Sequence, residues 1–400
     1  LAEFYPIIAG LIFMLALAVL TATLCKISLP RFWAGYRIGR LIIIITLAGV
    51  IFIILWGLGA TGRFGIPAGA GAGASALVVI AFIALIVSIP ISGLANLAIW
   101  VYRRLANGRT AKGSTAPDRT RRKLLESALL AAPLAAVTAG TGGFIKSFAP
   151  AKIRKVKIEF DGLPQSLVGF RILQISDVHL GYYVTIEDFE RFVDEALPLR
   201  PDLVLVTGDL ADDLGSLKPA LALIEKFAPP FGCFFSLGNH EYYRGVDIFR
   251  REIGKTSIQL LVNEGRTIAV GDTTVYLGGA DDPRRLTRNN TDFFKNTVSR
   301  AMAQAPPDSF RILMTHRPEG FDFATGHRID FTLAGHTHGG QIGFVGHSLF
   351  ESIVGYRYLW GLYENDGGGK LYTTAGMGHW FPFRLGCPTE APLIELARRH

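Results

Sequence analysis

Apolar residues follow two regimes along this chain. Before about residue 150 they run in long blocks with no polar face. After it they form short runs broken by polar, glycine and proline positions. Four early blocks, Ile7–Leu24, Leu41–Ala60, Ala76–Val101 and Leu124–Ile145, have or approach the ~20 residues that cross a bilayer. A buried helix of a soluble protein is the alternative. It fits the first three poorly, because a surface helix keeps a polar face. It fits the fourth better, since that block carries Glu126, Pro133 and several glycines.

The later runs predict alternating strands and helices. Lys155–Phe160 and Phe170–Ser176 read as strands and Thr185–Leu197 as a helix. Thr185 and Asp188 form a capping box, and Ile186, Phe189, Phe192, Val193 and Leu197 share one face. Strand Asp202–Thr207, helix Ala220–Phe227, strand Phe234–Leu237 and a helix near Val246–Ile253 follow. Further strands are expected at Thr274–Gly278, Phe310–Thr315, Asp330–Ala334, Lys370–Thr374 and Pro392–Leu396. This alternation predicts an α/β domain over residues 151–400, with parallel strands and right-handed crossovers. Residues 1–150 are expected to form an all-α membrane domain of three or four transmembrane helices.

Charge divides at the same place. Residues 1–150 hold 14 Lys/Arg against three acids (Glu3, Asp118, Glu126), a net of +11; residues 151–400 hold 27 against 30, a net of −3. Nucleic-acid binding needs a basic soluble face, so no nucleic-acid partner is expected. Cytoplasmic loops collect Lys and Arg. The first loop carries Lys26, Arg31, Arg37 and Arg40, and the second only Arg63 in a turn rich in Gly and Ala. The third carries Arg103, Arg104, Arg109, Lys112, Arg119, Arg121, Arg122 and Lys123. The first and third loops are therefore expected in the cytoplasm and the N-terminus outside. If the fourth block crosses, the later domain is outside too. Thr120-Arg121-Arg122-Lys123-Leu124-Leu125 resembles a bacterial twin-arginine export signal, here internal. It reads equally well as a basic flank, and both readings place Arg121 and Arg122 in the cytoplasm. Cys25, Cys233 and Cys387 show no CxxC spacing, so no disulfide framework or zinc-thiolate site is expected, while a single Cys233–Cys387 bridge stays open.

Chemistry concentrates in five motifs: Asp177-Val178-His179, Gly208-Asp209-Leu210-Ala211-Asp212, Gly238-Asn239-His240-Glu241, Thr315-His316 and Gly335-His336-Thr337-His338. Each directly follows an expected apolar strand. The carboxyl ends of strands in an open α/β sheet converge on one crevice, so remote segments can aim at one point. Asp, His and Asn are ligands for divalent metals of borderline hardness such as Mn, Fe or Zn. A lone Asp-x-His is common and carries little information; the ordered set behind strands carries much more.

These motifs resemble, one by one, those of the calcineurin-like metallophosphoesterases, over roughly residues 165–397. The resemblance implies two mixed β-sheets packed face to face and flanked by helices, and two divalent metal ions. It implies Asp177, His179, Asp209 and His338 around one ion. Asp209, Asn239, His316 and His336 would surround the other, with Asp209 bridging and His240 as the catalytic histidine. Within the family the chain is most similar to the membrane-linked YkuE/YaeI type, by Gly339-Gly340-Gln341, Gly361-Leu362-Tyr363, Leu371-Tyr372 and Arg384-Leu385-Gly386-Cys387-Pro388. That type often has an Arg in the segment written here Thr374-Ala375-Gly376-Met377-Gly378, and this chain lacks it.

The expected function is hydrolysis of a phosphate ester or anhydride at the membrane. Two cations bring more positive charge than Asp177 and Asp209 remove, which suits an anionic substrate, and the water they acidify is the expected nucleophile. Candidate substrates are small phosphoesters, lipid phosphates or, by the resemblance, a UDP-2,3-diacylglucosamine. Glu241 is expected to orient His240, and Asp212 to support the site or to be a solvated helix-start acid. Arg317 and Arg384 are expected to be exposed or to touch phosphate, and Tyr242 and Tyr243 to line the pocket or pack. His327, His347, His379 and His400 are expected to hold surface or core positions. A non-catalytic metal-binding membrane scaffold is the alternative, and a transporter fits less well because the spans carry almost no charge. The chain is thus expected to be an integral cell-membrane protein with its catalytic domain outside the cytoplasm.

Overall fold

Helices form where the sequence stays apolar longest. The computed structural model describes residues 5–35, 38–60, 68–107, 119–181, 183–285, 290–344, 346–354 and 357–399. The chain divides into two units, Leu1–Ile145 and Lys146–His400. Helices α1 (Tyr5–Ser28), α2 (Pro30–Gly35), α3 (Ile38–Ala60), α4 (Ala68–Asn107) and α5 (Arg119–Ser147) account for the first unit, α5 ending in the second. Among the described residues four stretches are long and apolar enough to cross a membrane: Ile7–Ser28, Ile38–Gly59, Gly71–Val101 and Ala128–Ser147. Ile12, Val19, Ile44 and Leu94 are exposed, an arrangement that lipid tolerates and water does not. Thr21, Thr46 and Ser88 return their hydroxyls to the carbonyls of Leu17, Ile42 and Ala84 one turn back, which satisfies them within the helix. The loop cations Arg37, Arg63, Arg109 and Lys112, and also His400, lie outside the described residues.

The second unit runs β1 (Lys152–Phe160), β2 (Arg171–Ile175), α6 (Ile186–Ala196), β3 (Leu203–Val206), α7 (Leu217–Glu225), β4 (Cys233–Phe235), α8 (Asn239–Arg244), α9 (Val246–Ile253), β5 (Gln259–Leu260), β6 (Glu264–Val270), β7 (Thr273–Gly279), α10 (Asn290–Met302), β8 (Phe310–Met314) and β9 (Phe331–Ala334). There follow β10 (Gly343–Phe344), β11 (His347–Ser348), α11 (Leu349–Val354), β12 (Gly361–Glu364), β13 (Lys370–Thr373) and β14 (Glu390–Arg398). Two six-stranded sheets result, ordered β1-β14-β2-β3-β4-β5 and β12-β13-β9-β8-β7-β6, beside the hairpin β10-β11.

Successive side chains of a strand face opposite ways, and here both faces are apolar. Ile172, Leu203, Leu205 and Phe234 of one sheet meet Ile312, Met314, Phe331 and Leu333 of the other in a shared core. Their neighbours Leu173, Val204, Val206 and Phe235 pack under Phe189, Val193, Leu221 and Ile224 of α6 and α7. Leu313 and Leu371 pack under Val298 and Ala301 of α10. The order is helix, sheet, sheet, helix. Each fully buried Leu, Ile or Phe contributes roughly 2 kcal/mol, so the two sheets form one firm scaffold for the loops at their tips. The capping box of Thr185 and Asp188 opens α6 as the sequence predicts.

The sheets are mixed, as the family resemblance implies, whereas the strand–helix alternation by itself predicts parallel strands. β2, β3, β4 and β5 run parallel, as do β7, β8, β9 and β13, whereas β14 opposes β2, β6 opposes β7 and β12 opposes β13. For the pairs β6–β7 and β12–β13 the cause is loop length. A parallel return needs about a dozen residues, and only residues 271–272 join β6 to β7, and 365–369 join β12 to β13.

Candidate metal centre

Five central parallel strands end at one place. Asp177 and His179 follow β2, Asp209 and Asp212 follow β3, Asn239 and His240 follow β4, His316 follows β8, and His336 and His338 follow β9. The tips are unusual locally. Asp177, His179, Asp209, His336 and His338 all have positive φ, between 49° and 69°. That left-handed region costs a side chain about 1–2 kcal/mol, though Asp and His tolerate it better than most. Five such residues around one point are strain concentrated where function resides. Gly208 makes the crowding possible. Its φ is +86°, and a Cβ there would lie 2.6 Å from Gly238 N and 2.8 Å from His316 Nδ1.

The donor atoms converge as three groups, Asp177–His179–His338, His179–Asp209–His240 and Asp209–His316–His336, each with its atoms within 4.8 Å of one another. His179 Nε2 lies 3.2 Å from His338 Nε2. His316 Nε2 lies 3.2 Å from both His336 Nδ1 and Asp209 Oδ2, and 3.1 Å from Asn239 Oδ1. His338 Nε2 lies 3.7 Å from Asp177 Oδ1. Asp177, His179, Asp209, Asn239, His316 and His338 are buried, and the His240 side chain is 14% exposed at the mouth. Ring nitrogens, an amide oxygen and two buried carboxylates facing inward together form a donor set that suits divalent cations of borderline hardness. The residues present fit a pair of such ions.

A second layer of bonds aims these donors. His316 Nδ1 donates to Thr207 O at 2.8 Å, which turns its Nε2 inward. Asp177 accepts from the Ser176 hydroxyl at 2.5 Å and from His336 N–H at 3.0 Å. Asp209 accepts from His240 N–H at 2.9 Å. Asp212 bonds His240 Nδ1, and its other oxygen lies 3.3 Å from His179 Nδ1.

Electrostatics follow from burial and crowding. Burial, joined by the charge of Asp209, raises Asp177. Burial also pushes Asp209 upward, but His316, His240 and His179 outweigh it and hold that carboxyl well below the usual range. Asp212 is likewise lowered against its burial by His179 and His240. Burial lowers the His316 imidazole less than Asp209, Asp177 and Asp282 raise it, and it stands at about 10. Burial, with His316 for His336 and Arg384 for His338, holds these two rings well below the imidazole range.

The readings of Glu241, Arg317 and Arg384 need correction, and the alternatives left open for Tyr242, Tyr243, His379 and the cysteines are decided. Glu241 does not orient His240. Its carboxylate accepts the backbone N–H groups of Asp209, Leu210 and Gly238 at 2.8–2.9 Å, so it anchors the Asp209 loop, and Asp212 takes the orienting place. Arg317 and Arg384 are buried, not exposed. Arg317 Nε pairs with Asp282 at 2.9 Å, and its NH1 reaches His336 Nε2. Tyr242 packs and donates to Asp281 at 2.5 Å, while Tyr243 stays partly exposed beside the His240 ring. His379 is buried against Phe148 and Tyr183. The three cysteines are free and buried, which closes the Cys233–Cys387 alternative. Sequence reasoning missed Asp282, Ser176 and Gln174. Gln174 bridges the sheets by donating to Thr207 Oγ1 and Ala334 O, both at 3.0 Å. All three lack a metal-ligand motif; their only signal is a polar side chain inside or beside an apolar strand.

The family model for calcineurin-like phosphoesterases matches residues 170–340, the stretch that carries all five tips. The chain carries a calcineurin-like metallophosphoesterase domain. Its relatives include the uncharacterized metallophosphoesterase YkuE of Bacillus subtilis strain 168, 28% identical over 69% of this chain and 97% of that protein. Phosphodiesterase YaeI of Escherichia coli K12 is 25% identical over 67% of this chain and 97% of its own. A transmembrane protein with metallophosphoesterase domain from Danio rerio is 29% identical over 73% of this chain and 66% of its own. The chain spans just under two thirds of the length of several curated relatives it matches, the Danio rerio protein among them. With four apolar helices ahead of the metallophosphoesterase domain, this is a membrane protein, and its later part is similar to YkuE and YaeI.

Proposed function

We propose that residues 146–400 hydrolyse a phosphate ester or anhydride at the membrane with the help of two divalent cations, Mn, Fe or Zn. Asp177, His179, Asp209 and His338 would hold one ion, and Asp209, Asn239, His316 and His336 the other, with Asp209 shared. When bound, such ions supply positive charge for the phosphate oxygens and acidify the attacking water. The remaining work falls to the chain. His240 stands at the mouth with Nε2 4.0 Å from Asp209 Oδ2 and Nδ1 bonded to Asp212. Asp212 holds the ring by Nδ1 so that Nε2 faces the site, where His240 hands a proton to the leaving oxygen. A non-catalytic scaffold would have no use for that pair.

One observation carries this reading: five strand tips bring two carboxylates and five imidazoles into overlapping groups of metal-binding size, and Asp209 belongs to two of them. The anchor favours a phosphate carried by a lipid or held near the surface. A site outside the cytoplasm favours lipid phosphates and simple phosphoesters over a cytoplasmic UDP-diacylglucosamine. The full chain in nanodiscs, given Mn²⁺ and bis(p-nitrophenyl) phosphate, is expected to turn over. Asp209→Ala, which removes the shared ligand, is expected to lower the rate by at least about 10²-fold. Equal rates would end the two-metal assignment.

A further inference from the structure

Arg384 is among the largest fully buried side chains of the described residues, 1% exposed. An arginine cannot shed its proton, and burying a guanidinium costs several kcal/mol unless something offsets it. Its hydrogen bonds go to backbone carbonyls and a ring nitrogen, and Nε has no partner. NH1 donates to Ala375 O at 2.8 Å and His338 O at 3.1 Å; NH2 donates to Gly378 O at 2.6 Å and to His338 Nδ1 at 3.1 Å. These acceptors belong to two loops, one behind β9 and one behind β13. The second loop in turn grips the Asp177 segment: Met377 N–H donates to Ser176 O at 3.0 Å, and Gly378 N–H to Asp177 O at 2.7 Å. One planar fork therefore ties His338 to the backbone that carries Asp177. Both belong to the group Asp177–His179–His338. The group Asp209–His316–His336 is held by other bonds, from Thr207, Glu241 and Arg317.

We propose that Arg384 is a positioning residue for one half of the metal centre. It fixes His338 against Asp177 so that this half keeps its cation, and it makes no bond to Asp209, His316 or His336 of the other half. This rests on the two-metal reading above. The fork matters more than the charge, because its two nitrogens each join the two loops, and a lysine's single nitrogen can replace at most one of these two links.

The test compares the wild-type chain with Arg384→Lys, full length in nanodiscs. Mn²⁺ is counted per chain after chelation and reloading, and hydrogen exchange is followed in chelator over residues 336–341 and 374–379. The wild type is expected to take up two ions. Arg384→Lys should take up one at concentrations that fill both wild-type sites, the lost site being weakened about 10-fold or more. Exchange should quicken in both segments together. Two ions held with unchanged affinity, or both sites weakened equally, would overturn the proposal. A wild type that takes up fewer than two ions ends the two-metal reading instead, and the exchange data then decide alone: quicker exchange in both segments upholds the clamp, unchanged exchange ends it. If Arg384→Lys does not fold, Arg384→Gln, which drops the charge and keeps part of the donor set, is read by the same measurements.

Discussion

Asp212 stands against two imidazoles at once, bonded to His240 Nδ1 and within ion-pair distance of His179 Nδ1. One oxygen bonds His240 Nδ1 and also receives Arg244 Nε at 3.2 Å, while the other lies 3.3 Å from His179 Nδ1. An amide of the same shape can accept at only one end. Asp212→Asn is therefore expected to lower kcat by about 10²-fold, through His240, and to weaken metal binding about 10-fold, through His179. Steady-state rates and Mn²⁺ titration read these two effects separately, and a wild-type kcat in the variant would remove Asp212 from the mechanism. His316 gives a pH dependence. Its folded pKa of about 10 lies above the ordinary 6.5. The stabilisation from its pairing with Asp209 is therefore complete below about 6.5 and disappears as pH rises through 10. The chelated protein should melt at a lower temperature at pH 10 than at pH 6.5. Cations need the neutral ring, so Mn²⁺ binding should tighten over the same window. A melting temperature flat from 6.5 to 10 in chelator would show that His316 holds no proton against Asp209.

At the scale of elements, the strands and the helices between them were legible because burial on both faces leaves unbroken apolar runs. β3 is Leu-Val-Leu-Val and β8 Phe-Arg-Ile-Leu-Met, and both stand within a residue or two of where the pattern places them. The ligand candidates were legible for a related reason: a strand tip, a turn and an Asp or His come together in sequence. Edges were not legible. β5 has two residues, too few for a pattern to register, and β12 is Gly-Leu-Tyr-Glu, which holds no apolar run; hairpin pairing is set by loop length, which a strand's own pattern does not contain. The supporting bonds were hidden as well. Glu241 lies beside His240 in sequence, yet points to three amides of other turns, and Arg384 lies 46 residues from the ring it holds. The tips themselves set a limit that glycine meets. Gly208→Ala places a Cβ against the backbone of Gly238 at a left-handed φ, where nothing can yield. A loss of roughly 3 kcal/mol is expected, seen as a lower melting temperature, with Asp209 driven off its partners. An unchanged melting temperature together with full metal content would contradict the close approach of the β3 and β4 tips.

For the whole molecule, the side of the membrane on which residues 146–400 work decides which phosphates they meet. Lys and Arg sort to the cytoplasm, and the loops differ sharply. Four basic residues lie at or between the facing ends of the first two spans, one follows the second and eight precede the fourth. Moving the third loop outward would carry all eight across, whereas the opposite arrangement moves one. The fourth span, Ala128–Ser147, contains Pro133 and several glycines, but membrane helices tolerate both residues. No acid lies within it, since Glu126 precedes its start. Four crossings would put the metallophosphoesterase domain outside, and that is the expected outcome. Alkaline phosphatase joined after Ala151 should be active, and a green fluorescent protein joined at the same residue should be dark. The reverse pair of results would mean that the fourth helix does not cross. The domain would then face the cytoplasm, and nucleotide-linked lipids would become the substrates to try first. The two outcomes differ only in whether 20 residues cross, and the metal centre is built the same way in both, so the fusion result selects the substrate class without bearing on the chemistry.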